Sequence, residues 1–110
     1  MALDTWFHVM FDDESIDIHI HPPNGEESRA RLKWSEIVRV CFKPADFLGS
    51  DEILIFTKGR ETSYLIPVEA DGGLALWNDI ISRNLFDAEL AIKIAMSTDD
   101  EYHCWPIIEE

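Results

Sequence analysis

The sequence has few cysteines and few basic residues. Cys41 and Cys104 are its two cysteines, and they form no C-x-x-C motif. Two cysteines do not make a disulfide framework, so we expect both to be reduced thiols in a cytoplasmic protein. The 9 Lys and Arg residues stand against 22 Asp and Glu residues, which gives a formal net charge of -13. Such a surface repels phosphate backbones and anionic lipid headgroups, so we expect neither nucleic acid nor membrane as a partner.

Long apolar runs are also missing. No run approaches the roughly 20 residues of a membrane-spanning helix. Residues 1–6 have neither the basic start nor the apolar stretch of a secretory signal. A length of 110 residues fits one domain over residues 1–110. A chain of this size can bury a core without a metal or a disulfide.

Motifs for catalysis are missing as well. None of the serines lies in a Gly-x-Ser-x-Gly elbow, and the sequence has neither a Gly-x-x-x-x-Gly-Lys loop nor a Gly-x-Gly-x-x-Gly motif. His103 and Cys104 are adjacent, but neighbours on an extended backbone point to opposite faces. We therefore expect a protein that is not an enzyme and has no cofactor, and a small hydrolase is the weakest alternative.

Apolar and polar residues alternate over much of residues 5–70, which is the pattern of β-strands. Between residues 15 and 21, isoleucine occupies every second position, and the other face carries Asp17, His19 and His21. Similar stretches predict six strands, at residues 5–11, 15–21, 28–34, 37–43, 52–57 and 62–68. Short connections favour an antiparallel meander.

The period of the pattern changes after residue 70. Spacings of three and four residues predict a helix over 72–85 that covers the sheet, with Asp71 as its N-cap; the apolar stripe is Leu74, Trp77, Ile81 and Leu85, widened by Ile80. Asp87 predicts the N-cap of a short second helix over 87–97. Residues 98–110 fit either a tail or an extra strand.

Three segments carry a resemblance to a known fold family. They are Trp-Ser-Glu-Ile-Val-Arg-Val at 34–40, Asp-Glu-Ile-Leu-Ile-Phe at 51–56 and Ile-Pro-Val-Glu-Ala-Asp-Gly-Gly at 66–73. With the meander and the helix that follows it, they resemble short bacterial proteins with a pleckstrin-homology-like (PH-like) domain. The resemblance implies a mainly β, α+β binding scaffold: an antiparallel barrel or roll of six or seven strands, capped by a C-terminal helix.

Lipid binding does not transfer with this resemblance. Members of the family that bind phosphoinositides hold the headgroup with basic residues around the first hairpin loop. In this sequence the loop is Asp12-Asp13-Glu14, which would repel a phosphate. The resemblance therefore implies a binding scaffold without the lipid activity of the family.

Five of the nine basic residues lie within positions 29–43: Arg29, Arg31, Lys33, Arg39 and Lys43. If the hairpin around Pro22–Gly25 pairs residues whose numbers sum to 50, Asp17 faces Lys33, His19 faces Arg31 and His21 faces Arg29. The cations would then form a strip that could bind an anionic peptide or ligand. The alternative is that they neutralise neighbouring acids and keep a strand face soluble.

Asp17, His19 and His21 on one strand face form a candidate metal site. Alternate residues on a strand are about 7 Å apart, so two imidazoles could share an ion with a ligand from a neighbouring strand. His8 lies on the adjacent strand, in unknown register. The alternative is an ordinary solvated strand face.

Two of the four tryptophans are candidates for a binding surface. Trp6 shares its strand face with a histidine and a methionine, and Trp105 precedes Pro106 near the C-terminus. They could form an exposed aromatic patch. The alternative is that the tail packs over an open edge of the barrel.

Together these features predict a cytoplasmic module that binds a protein or peptide. One version is an immunity-type or adaptor protein whose acidic surface neutralises a basic partner. The alternative is a small-ligand or metal-binding domain that uses the Asp17, His19 and His21 face. An exposed strand could also pair edge to edge in a homodimer.

Overall fold

A computed structural model describes residues 3–44, 51–96 and 101–106 of the chain. The six predicted strands are present as β1 (Phe7–Phe11), β2 (Ser15–Ile20), β3 (Ser28–Lys33), β4 (Ile37–Lys43), β5 (Glu52–Thr57) and β6 (Tyr64–Pro67). The predicted helices are α1 (Gly73–Ser82) and α2 (Ala88–Ala95), and β7 (His103–Trp105) follows them. Residue 97 of the predicted second helix and residues 98–100 and 107–110 of the predicted tail lie outside the described residues. The mainly β, α+β class is confirmed.

The sequence predicts an antiparallel barrel or roll, and the strands form two separate antiparallel sheets that do not close into a barrel. One sheet has three strands in the order β1-β2-β3, and the other has four in the order β6-β5-β4-β7. The break falls at a short 3-10 helix over Trp34–Glu36, which leads the chain from β3 into β4. β3 therefore pairs with β2 and β4 pairs with β5, and no ladder joins β3 to β4.

The core lies between apolar faces of these elements. In the first sheet the buried hydrophobic residues occupy alternate positions of the strands, as the alternation predicts: Phe7, Val9, Ile16, Ile18 and Leu32. The second sheet and α1 contribute Val40, Ile53, Ile55, Ile66, Leu76 and Ile80. The polar residues between them face outward, so the outer face of the first sheet is available for a site.

The buried face of α1 is offset from the predicted stripe. Leu76 and Ile80 are fully buried, whereas Leu74 is 58% exposed. Trp77 stacks on Phe42 of β4 with ring centroids 4.5 Å apart, so the helix does pack on the sheet as expected. Asp87 caps α2, because its carboxylate accepts a hydrogen bond from the Leu90 amide at 2.9 Å.

The cysteines form a disulfide, so the prediction of two reduced thiols is wrong. β7 pairs with β4 and places Cys104 directly opposite Cys41, with their Cα atoms 4.0 Å apart. The bond joins residues 63 positions apart. Sequence spacing alone could not show this pairing, because it depends on the return of β7 to the far edge of the sheet.

Among the described residues, neither helix has the length and apolar character that crossing a bilayer requires.

Candidate functional site

The outer face of the three-stranded sheet carries a cleft of about 680 Å³, called the histidine cleft below. Its lining residues are His8, Met10, Asp17, Ile18, His19, His21, Arg29, Ala30, Arg31 and Asp71. β1 and β2 place His8 directly opposite His19, and His21 follows the end of β2 on the same face. Period-two geometry thus gathers three of the four histidines of the chain on one surface.

Asp71 holds one imidazole of the cleft. His8 Nδ1 donates a hydrogen bond to Asp71 Oδ2 at 2.9 Å. The backbones are also joined, since the Val9 amide donates to the Asp71 carbonyl and the Asp71 amide donates to the Phe7 carbonyl. The prediction of Asp71 as the N-cap of α1 is wrong: the cap is Gly72, with a φ of 82° and no side-chain hydrogen bond. The Asp71 carboxylate serves the cleft instead.

His8 and His21 are in direct contact through their other nitrogens. The two Nε2 atoms lie 2.9 Å apart, and the ring planes are 17° apart with centroids separated by 5.0 Å. Because His8 Nδ1 carries the proton given to Asp71, a neutral His8 accepts at Nε2 and His21 donates. One proton can occupy this contact, so the pair is held in a defined arrangement by Asp71.

The third imidazole also has a carboxylate beside one ring nitrogen. His19 Nε2 lies 3.3 Å from Glu27 Oε2, within ion-pair distance but without the alignment of a hydrogen bond. The side chains of His19 and Arg29, in that order of effect, hold the pKa of Glu27 below its ordinary range. The His19 ring centroid is 5.0 Å from that of His21 and 6.2 Å from that of His8.

The hairpin register differs from the predicted one by two residues. Asp17 is opposite Arg31 and His19 is opposite Arg29, so paired numbers sum to 48 rather than 50. The connection between β2 and β3 covers residues 21–27, one residue more than the predicted 22–27. The two strands therefore fold back about residue 24 rather than residue 25. A shift of two keeps each side chain on its predicted face, which is why the cations still lie beside the histidines.

The five predicted cations do not form one strip. Arg29, Arg31 and Lys33 lie on β3, and we call these three the β3 strip; Arg39 and Lys43 belong to β4 in the other sheet. In the β3 strip, Arg29 Nε contacts the Glu27 carboxylate at 3.3 Å. Arg31 Nε contacts Ser15 Oγ at 3.1 Å and Asp17 Oδ1 at 3.5 Å. Arg29 and Arg31 therefore each lie beside an acidic side chain.

Arg39 and Trp105 meet at a second, smaller cleft of about 250 Å³. Arg39 Nε is buried there and has no hydrogen-bond partner among the described residues. Lys43 lies 4.0 Å from Glu52 and 5.6 Å from the centre of the Tyr102 ring. The two β4 cations therefore have surroundings of their own, separate from the histidine cleft.

The structure places Trp6 next to the first sheet and Trp105 in the second. Trp6 immediately precedes β1, and Trp105 ends β7. Both are partly buried and pack against the core. Trp6 also accepts a hydrogen bond from the His21 amide at its carbonyl, at 2.8 Å, so its backbone supports one end of the histidine cleft.

The predicted metal set of Asp17, His19 and His21 is not assembled. The Asp17 carboxylate faces Arg31, a cation that competes with any metal ion. Over residues 3–44, 51–96 and 101–106, no group of three or more His, Cys, Asp or Glu side chains is already arranged to hold an ion. The residues that do meet are His8, His21 and Asp71. The shared face of the two strands was a signal for His8, whereas no sequence signal identified Asp71.

Comparison with protein-family models, with curated proteins and with solved structures gives no match.

Proposed function

We propose that the protein is a non-enzymatic binding module and that it binds an acidic, extended peptide segment along β3, beside the histidine cleft. One observation carries the proposal: β3 ends the three-stranded sheet in the described part of the chain, and its outer face bears the β3 strip. An edge strand can accept a further strand through main-chain hydrogen bonds, and the neighbouring side chains then select its sequence.

The arginines of the β3 strip retain binding capacity. Arg29 and Arg31 have side chains 70% and 67% exposed, and their contacts to Glu27, Ser15 and Asp17 all use Nε. A guanidinium has five N–H donors, so the terminal amino groups remain for a peptide carboxylate. Charge-assisted pairs of this kind are about twice as strong as neutral hydrogen bonds.

The histidine cleft supplies room for side chains of the peptide. Its volume of about 680 Å³ is in the range of ligand sites, roughly 300–1,000 Å³. Met10, 68% exposed, and Ala30 add apolar surface to the cleft. A peptide that alternates acidic and apolar residues would match a surface on which cations and apolar groups lie side by side.

The test is the affinity of a fluorescent hexapeptide of alternating Glu and Val, acetylated and amidated, measured by fluorescence anisotropy. We expect the double variant Arg29→Ala with Arg31→Ala to bind at least about tenfold more weakly, since each pair is worth more than 1 kcal/mol. Lys58→Ala removes an exposed cation from the turn after β5 and serves as the control. Equal losses in both variants would show a general charge effect and overturn the proposal.

A second candidate is a module for a basic partner, as expected of an immunity-type or adaptor protein. The net charge of -13 supports it, because an acidic surface speeds encounter with a cationic protein. The same assay with a hexapeptide of alternating Lys and Val separates the two candidates. Tighter binding of the Lys peptide, insensitive to the Arg29 and Arg31 changes, would favour the basic partner.

The PH-like fold and the homodimer are further proposals, and the cytoplasmic location expected from the sequence is not proposed. Six antiparallel strands followed by a packed helix support the PH-like assignment, while a strand after the helices departs from that family's order.

The β3 edge would also suit a second copy of the chain, and light scattering would detect such a homodimer. For the location, the disulfide gives the opposite indication, because disulfides persist mainly in oxidising compartments.

A further inference from the structure

We infer that His8, His19 and His21 bind one transition-metal ion of the Zn²⁺ type. This site goes beyond the proposed peptide binding and uses the histidines of β1 and β2 rather than the cations of β3. It also differs from the set expected from the sequence, because His8 replaces Asp17. The inference depends on three observations: the spacing of the rings, the carboxylates behind them and their exposure.

The spacing of the rings suits one shared ion. Their centroids are 5.0 Å apart for His8 and His21, 5.0 Å for His19 and His21, and 6.2 Å for His8 and His19. Three imidazoles bound through one nitrogen each to a tetrahedral ion would have centroids about 5 Å apart, given metal–nitrogen distances of about 2.0–2.1 Å. Two of the three separations already match this value.

Carboxylates stand behind two of the three imidazoles. Asp71 accepts from His8 Nδ1 and leaves His8 Nε2 facing His21, while Glu27 lies 3.3 Å from Nε2 of His19. Histidines that bind metals almost always donate their other N–H to a carboxylate, a carbonyl or water, which fixes the ring and raises its basicity. His8 makes this contact with Asp71, whereas His19 lies close to Glu27 without the alignment of a hydrogen bond. A solvated strand face does not require such partners.

Small side-chain movements convert the present arrangement into a coordinated one. The Nε2 atoms of His8 and His21 are 2.9 Å apart, whereas two ligands of a tetrahedral ion are about 3.3 Å apart. The ion would take the place of the shared proton, which would move to Nδ1 of His21 so that this ring stays neutral, and the contact would open by less than half an ångström. The His19 ring must turn to bring one nitrogen to the ion, which accounts for the lack of a formed three-ligand group among the described residues.

The donor set selects the kind of ion. Imidazole suits Zn²⁺, Cu²⁺ and Ni²⁺, whereas Mg²⁺ and Ca²⁺ require oxygen ligands. The side chains of His8 and His19 are 30% and 31% exposed, although Nε2 of His19 is itself buried, so an ion from solvent would meet His19 at Nδ1 or after its ring has turned. Three imidazoles leave a fourth position for water or for a donor atom of a bound ligand.

The test is isothermal titration of Zn²⁺ into the protein purified without a histidine tag, at neutral pH. We expect one ion per chain, with affinity at least tenfold weaker in His21→Ala and in His19→Ala. Asp71→Asn should weaken binding about 10–100-fold, as carboxylates behind metal ligands do. His103→Ala is the matched control, because the fourth histidine lies on β7 in the other sheet.

Far-ultraviolet circular dichroism establishes that each variant is folded, and Co²⁺ titration of the wild type gives an independent absorption signal of tetrahedral coordination. No Zn²⁺ binding at millimolar concentration would overturn the inference. Binding that the His21 and His19 changes leave intact would also overturn it, because the ion would then sit elsewhere on the acidic surface. The double variant Arg29→Ala with Arg31→Ala should still bind Zn²⁺ while its affinity for the acidic peptide falls. Failure of one proposal can therefore be distinguished from failure of the other.

Discussion

His8 and Asp71 are 63 residues apart in the sequence, yet His8 Nδ1 donates to Asp71 Oδ2 over 2.9 Å. Asp71 also forms a parallel bridge with His8 through the main chain. The junction between β6 and α1 is thereby attached to β1, the first strand of the other sheet. The histidine cleft consequently depends on how the two parts of the fold meet as well as on the sheet that carries most of its residues.

Gly72→Ala should disturb both stability and the cleft. Gly72 has a φ of 82°, and a Cβ there would lie 2.2 Å from the Val9 carbonyl oxygen. The left-handed backbone and the clash together should lower the free energy of unfolding by about 2–5 kcal/mol. Relief of the clash would separate residue 71 from β1. Urea unfolding measures the loss, and imidazole proton resonances of His8 report on the Asp71 contact.

Gly59→Ala is the control for Gly72. Gly59 has a similar φ of 76°, but no atom lies within 4 Å of the Cβ position. Gly59→Ala should lower the free energy of unfolding by about 1–2 kcal/mol, because only the left-handed backbone conformation is unfavourable there. Equal losses at the two positions would contradict the close approach of residue 72 to β1.

Reduction of the disulfide should destabilise the protein by about 2–4 kcal/mol, because the bond closes a loop between residues 63 positions apart and so restricts the unfolded chain. Urea unfolding with and without dithiothreitol measures the difference. The double variant Cys41→Ala with Cys104→Ala should show the lower stability and no response to the reductant. Equal stability of the oxidised and reduced wild type would contradict the Cys41–Cys104 bond.

The Asp12 carboxylate should contribute stability that is lost in acid. It accepts hydrogen bonds from the amides of Glu14 and Ser15, each at 2.8 Å, and these hold its pKa below the ordinary value of 3.8. A lowered pKa in the folded state favours folding above the unfolded pKa, and this contribution disappears as the pH falls through the folded pKa. Asp12→Asn should therefore be less stable than the wild type at pH 7.

Urea midpoints measured from pH 7 down to pH 2 test the expectation for Asp12. The gap between wild type and Asp12→Asn should be constant above about pH 5 and close below pH 3.8, the ordinary value for the carboxyl group. Asp13→Asn is the control, since Asp13 is a fully exposed neighbour 3.8 Å from Arg83. A gap that widens in acid would contradict the hydrogen-bonded turn.

Ile80→Ala and Leu74→Ala should differ sharply, although both truncate an aliphatic side chain on α1. Ile80 is 0% exposed and Leu74 is 58% exposed. Loss of the buried side chain should cost about 2–5 kcal/mol, and loss of the exposed one about 1 kcal/mol or less. Urea unfolding of the two variants decides the face by which α1 packs, and a larger loss for Leu74→Ala would restore the stripe predicted from the sequence.

The strands could be predicted from the sequence because their signal is local. Isoleucine at every second position of β2 fixes both the strand and its buried face, and a register shift of two leaves that face unchanged. The division into two sheets could not be predicted, since it depends on the 3-10 turn at Trp34–Glu36. The disulfide was missed for a similar reason, because β7 reaches β4 only after two helices.

The candidate site was predictable in part. The shared face of β2 identified His19 and His21, and the basic positions of β3 identified Arg29 and Arg31. An acidic residue before a helix is the usual signal for an N-cap, so the sequence predicts that role for Asp71. Its contact with His8 joins distant parts of the chain, and a single sequence carries no pattern for such a contact.

The central claim is that the protein binds its ligand on the face formed by the β3 strip and the histidine cleft. Titration of ¹⁵N-labelled protein with the hexapeptide of alternating Glu and Val, followed by ¹H–¹⁵N spectra, tests it residue by residue. The predicted result is that amide shifts change along β3 and at His8, His19 and His21. Changes confined to the sheet of β4 to β7, or none at millimolar peptide, would contradict the account.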